Sequence, residues 1–102
     1  MSEVDIVLSP GGRHRERLPG LGPVGYQWEA LVEDGEEIVS VDVSYLEPGP
    51  GPPEAGRGVD EVAEITARRP GEATIRLRQV RAWEPDKSLA ERTFHVIVKS
   101  DQ

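Results

Sequence analysis

The chain contains no cysteine, which excludes disulfide staples, thiolate metal sites and a cysteine nucleophile, so its stability has to come from packing. Aromatic residues are scarce: one Phe, two Tyr and two Trp in 102 residues. Each therefore bears on the reading, because a small domain spends its few aromatics where they bury most area or meet a partner. Positive charge is also in deficit. The 12 Lys and Arg stand against 19 Asp and Glu, and the resulting charge of −7 argues against nucleic acid and anionic membrane, which need a basic footprint. Long apolar runs are missing as well, and "MSEVDIVLSP" carries acids where a secretory signal needs a basic start. The expectation is a soluble chain that meets proteins, cytoplasmic or exported with its signal removed, with no nucleic-acid or membrane partner.

No catalytic constellation can be assembled. His14 and His95 lack metal-ligand spacing. There is no Gly-x-Ser-x-Gly elbow and no phosphate loop, and no βαβ unit surrounds the glycines of "GLGPVGYQW". The acidic pairs Glu36-Glu37 and Asp60-Glu61 read as solvated faces of an acidic domain. The expectation is no enzyme, no metal and no cofactor.

What the chain does have is period-two alternation, the mark of half-buried strands. Val4, Ile6 and Leu8 share one face; so do Tyr26, Trp28, Ala30 and Val32, and so do Val39, Val41, Val43 and Tyr45. Ile75 and Leu77 oppose Arg76 and Arg78, and Phe94, Val96 and Val98 oppose Thr93, His95 and Ile97. "DEVAEITARR" fits either a helix or a twisted strand, and the Pro70-Gly71 turn after it favours a strand. Such runs, broken by Pro and Gly at about ten-residue spacing, predict an all-β sandwich or barrel in one domain, 1–102. "EPGPGPPEAGRG" reads as a flexible surface loop over about 47–58. Arg13, Arg15 and Arg17 line one strand face, either as a charged edge that discourages strand addition or as a docking stripe.

Residues 20–28, "GLGPVGYQW", are glycine, proline and aliphatic carbon ending in two aromatics. A plain exposed turn would show Asn, Asp or Ser. The stretch suits a buried bend or a surface made to be covered. Taken with "GRG", "RRPGEATIRLR", "RAWE" and "ERTFHVIVK", it resembles the chagasin family of cysteine peptidase inhibitors over Leu18 to Lys99. Leu21, Gly22, Pro23 and Val24 stand where that family has Asn-Pro-Thr-Thr, Val59 replaces the last glycine of its second loop, and Ala82 replaces the proline of its Arg-Pro-Trp.

The resemblance implies an immunoglobulin-like β-sandwich with three binding loops clustered at one end, forming a wedge that enters the cleft of a papain-like cysteine protease without covalent chemistry. The implied protease-binding residues are Gly22, Pro23, Val24 and Gly25 in the first loop, Gly56, Arg57 and Gly58 in the second, and Arg81, Ala82 and Trp83 in the third. Tyr26 and Trp28 stand behind the first loop. Trp28, in mid-strand, reads as core, whereas Trp83 is either an exposed anchor or a lid on the sandwich. The function expected is reversible inhibition by a monomer; the alternative is a noncatalytic immunoglobulin-like interaction module without inhibitory activity.

Overall fold

Every alternating run becomes a strand in the computed structural model, which describes residues 2–20, 25–45 and 60–100. The strands are β1 (Ser2–Leu8), β2 (Arg13–Leu18), β3 (Tyr26–Asp34), β4 (Val39–Tyr45), β5 (Glu61–Ala67), β6 (Gly71–Arg81) and β7 (Glu84–Val98). No helix occurs among the described residues, and "DEVAEITARR" supplies β5. One sheet has the order β1-β7-β6-β3 and the other β2-β5-β4. The β1–β7 pair is parallel and the remaining pairs are antiparallel. This is the expected immunoglobulin-like sandwich rather than a barrel, since two separate sheets face each other across a common core.

Each sheet turns most of its apolar side chains inward, and the residues that the alternation assigned to one face largely form that core, although Val4 and Tyr45 are exposed. Leu18, Val39, Ile65, Ile75, Leu77, Phe94 and Val96 are fully buried, joined by Ile6, Trp28 and Val98. Truncating any of the larger ones to alanine costs about 2–5 kcal/mol. β2 is an outer strand of its sheet, and Arg13, Arg15 and Arg17 lie exposed along it. The first two reach Glu64 at 3.7 and 3.5 Å, and Arg17 reaches Asp60 at 2.7 Å. On the outer face of the larger sheet Arg76 pairs with Glu33 at 2.9 Å and Arg78 with Glu29 at 3.2 Å. Exposed pairs of this kind stabilise by about 0–1 kcal/mol each and mainly set solubility and register.

β7 is longer than the sequence pattern indicates. Alternation marks only its end, from Thr93 onward, yet the strand begins at Glu84. The extra length is irregular. Arg81 pairs with Glu84 while Val80 pairs with Ser88, so residues 85–87 bulge out of the ladder and interrupt the period of two. Arg78 donates to the carbonyl of Pro85 at 2.8 Å and fastens the bulge to β6.

Candidate functional site

Strand register brings the described flanks of all three expected loops to one end of the sandwich. Tyr26 pairs with Arg81 in the larger sheet, and both Leu18 and Tyr45 pair with Glu61 in the smaller one. Gly22, Pro23 and Val24, the loop expected over about 47–58, and Gly56, Arg57 and Gly58 within it lie outside the described residues. Gly25, Arg81, Ala82 and Trp83 are described, and Trp83 meets both Gly25 and Arg81.

Arg81, Ala82 and Trp83 lie at a tight hairpin: β6 ends at Arg81, β7 starts at Glu84, and only Ala82 and Trp83 connect them. Two-residue hairpins usually need positive φ, but no non-glycine residue here has it. The bulge in β7 supplies the twist that the turn cannot. Trp83, at the tip, is 67% exposed, which decides against a lid on the core. Its ring lies over Gly25. Gly25 has φ +89°, and a Cβ there would stand 3.0 Å from Trp83 Cζ3 and 3.1 Å from Cζ2, closer still to Cη2. The position needs glycine twice over, for its backbone and for the space the indole occupies. Arg81 completes the cluster, its guanidinium 4.3 Å from the centre of the Tyr26 ring and 5.6 Å from that of Trp83, with Glu84 at 3.4 Å. Cation–π contacts at exposed sites contribute about 0.5–1 kcal/mol each. Chemically, the described residues at this end offer a large exposed apolar plane beside a cation held by Tyr26 and Glu84.

Below the surface lies a set of polar contacts that sequence reasoning missed. The Pro19 carbonyl accepts from Trp28 Nε1 at 2.9 Å and from Gln79 Nε2 at 3.1 Å. Asp60 Oδ1 accepts the Gly20 amide at 3.0 Å, and Glu61 Oε2 accepts the Trp28 amide at 3.3 Å, across the two sheets. The expectation that Asp60 and Glu61 form a solvated face is therefore wrong. Glu61 is only 5% exposed, and its burial raises the carboxyl pKa above the ordinary value, with the Trp28 amide pulling it back down. The pair is held inward because both carboxylates satisfy backbone N–H groups at the entry to and exit from residues 21–24. A signal for Gln79 was present: it occupies the inward register of Ala73, Ile75 and Leu77, where an apolar residue belongs. No buried side-chain polar atom among the described residues lacks a partner, so the set is satisfied.

The histidines sit apart from this end. His14 lies 3.1 Å from Glu16 and edge-on to Phe94, and His95 faces Glu3 at 3.9 Å. No group of three metal-ligating side chains occurs among the described residues.

Comparison with known families places the chain. The model of "Chagasin family peptidase inhibitor I42" matches residues 16–98. The chain belongs to the chagasin family of peptidase inhibitors. Its fold is shared with the cysteine protease inhibitor EhICP2 from Entamoeba histolytica, at a TM-score of 0.68 and 18% identity, covering 96% of this chain and 85% of that one. It is also shared with amebosin, in a solution structure, at a TM-score of 0.68 and 29% identity, covering 93% and 88%. No curated protein matches the chain. The match runs from the second half of β2 to the end of β7, which includes the exposed tryptophan turn and strands that flank the other two expected loops.

Proposed function

We propose that the chain is a reversible inhibitor of papain-like cysteine proteases that binds with the Trp83 end of the sandwich as a noncovalent wedge. Family membership supports cysteine peptidases as the target class. The observation that carries the binding mode is the exposed Trp83 plane, seated on Gly25 and flanked by Arg81. A tryptophan left in water at the tip of a rigid hairpin is costly for solubility and stabilises nothing inside the fold; covered by a partner, it becomes an anchor of about 2 kcal/mol or more. Preorganisation by Gly25, Arg81 and the β7 bulge keeps the ordering cost of binding low.

In this reading Gly22, Pro23, Val24 and Gly25 enter the cleft. Gly56, Arg57 and Gly58 bear on one side, and Arg81, Ala82 and Trp83 on the other. The chain performs no catalysis and acts as a monomer. With Pro23 and Val24 in place of threonines, the first loop relies on shape and apolar burial rather than on side-chain hydrogen bonds. The test is titration of papain and a panel of cathepsin-like and serine proteases with the purified chain. Stoichiometric loss of activity confined to the cysteine proteases supports the reading. Undiminished hydrolysis at large excess across the panel overturns it, in favour of an interaction module without inhibitory activity.

A further inference from the structure

We propose that Asp60 and Glu61 are positioning residues for inhibition: a two-carboxylate clamp that fixes the chain leaving residues 46–59 against both ends of 21–24. The proposal rests on the wedge reading and extends it to residues beneath the expected binding loops. Asp60 directly follows the undescribed segment, and Glu61 opens β5. Asp60 accepts the amide of Gly20, the last residue described before 21–24, at 3.0 Å, while its other oxygen takes Arg17 Nε at 2.7 Å. Glu61 reaches across the sandwich to the amide of Trp28, just after the first loop, at 3.3 Å. The two adjacent carboxylates thus hold the chain at Gly20, before residues 21–24, and at Trp28, early in β3, over separations of 40 and 33 residues.

The third element is tied in through Trp28. Its indole donates to the Pro19 carbonyl, and the same oxygen accepts from Gln79, two residues before Arg81. Burial is what makes the arrangement directive. Glu61 is 5% exposed and Gln79 only 2%, so breaking the Trp28–Glu61 bond leaves a buried amide without its acceptor. No ladder joins β3 to β5, which lie in different sheets, and Glu61 bridges them, while Asp60 ties the chain around the end of β2 to the start of β5. A wedge made of separate loops binds only when their spacing matches the cleft, and a clamp at their roots sets that spacing before the encounter.

The test compares Glu61→Leu, Glu61→Gln and Asp60→Ala with Val39→Ala, a core truncation near the far end of β4 and β5. Inhibition of papain is measured per folded molecule, and amide hydrogen exchange is followed in the free chains. Glu61→Leu and Asp60→Ala are expected to raise the inhibition constant about tenfold, equivalent to about 1.4 kcal/mol. Glu61→Gln, which keeps an acceptor for the Trp28 amide, recovers most of that loss. Val39→Ala lowers stability but leaves the inhibition constant of the folded molecules unchanged. In the free chain Glu61→Leu speeds exchange at Trp28 and Asp60→Ala speeds it at Gly20, and neither does so at Phe94. Equal inhibition constants for Glu61→Leu and wild type, or unchanged exchange at both amides, overturn the clamp. Wild-type chain that fails to inhibit any cysteine protease overturns the function reading instead, and the exchange data, taken without protease, still decide whether the clamp exists.

Discussion

Replacing Gly25 by alanine perturbs the point where the first loop meets the third. Two effects separate. At φ +89° an L-residue is strained by about 1–2 kcal/mol, a loss of folding stability that any side chain incurs there. The new Cβ also falls within the volume of the Trp83 indole, whose Cζ3 and Cζ2 it would approach to 3.0 and 3.1 Å. Because Trp83 is exposed and held by no core contact, the ring swings away and the fold survives. The expected result is a drop in the thermal midpoint of about 4–16 °C, from about 4–8 °C per kcal/mol for a domain of this size. Binding loses the anchor as well, about 2 kcal/mol or roughly 30-fold in the inhibition constant. A double-mutant cycle with Trp83→Ala isolates the contact: in the Trp83→Ala background Gly25→Ala still lowers stability but no longer weakens inhibition. The assay is chemical denaturation paired with progress-curve inhibition of papain. An inhibition constant unchanged by Gly25→Ala in an otherwise wild-type chain, with the stability loss present, refutes the argument that Trp83 on Gly25 forms the recognition surface.

Trp83→Ala alone weakens protease inhibition by about 2 kcal/mol and barely moves the denaturation midpoint, whereas Trp28→Ala, at 6% exposure, costs about 3–5 kcal/mol of stability; the two are read by inhibition and denaturation in parallel. Glu61 gives a pH signature. Its folded pKa lies above the ordinary 4.5, so the folded chain holds this proton more tightly and its contribution to stability grows as pH falls from the folded pKa towards 4.5. Glu61→Gln removes that slope, so the stability gap between variant and wild type widens as pH rises through the window and then levels, as denaturation midpoints at a series of pH values will report. The chain is not turned over, since a wedge without a correctly oriented scissile bond offers the thiolate no attack geometry. Intact mass after long incubation with papain stays at 11.2 kDa, and a single cut within residues 20–25 refutes the wedge.

The sandwich was legible because its core-facing residues alternate. Trp28, Ile75, Leu77, Phe94 and Val96 all occupy the inward positions that the period of two assigned to them. The first half of β7 was not legible, because the bulge at 85–87 breaks that period and "EPDKSLAER" carries no apolar stripe. At the site, the sequence left Trp83 open between anchor and core; only the tertiary fold, which closes the hairpin in two residues, puts it in solvent. Asp60 and Glu61 were misread for a general reason. Composition assigns acids to the surface, and the amides that hold these two inward are 40 and 33 residues away, a separation no local pattern reports.

The two tryptophans allow the central claim to be tested directly. With both labelled as 5-fluorotryptophan, the chain should give two fluorine resonances, one from buried Trp28 and one from exposed Trp83. Unlabelled papain, with its active-site thiol blocked by a small methylthio group, is then added stepwise. The account predicts that the Trp83 resonance shifts and loses its solvent isotope effect, saturating at one protease per chain, while the Trp28 resonance stays in place. Saturable binding that leaves the Trp83 resonance and its solvent isotope effect unchanged would contradict it, because the protease would then be meeting some other face of the sandwich.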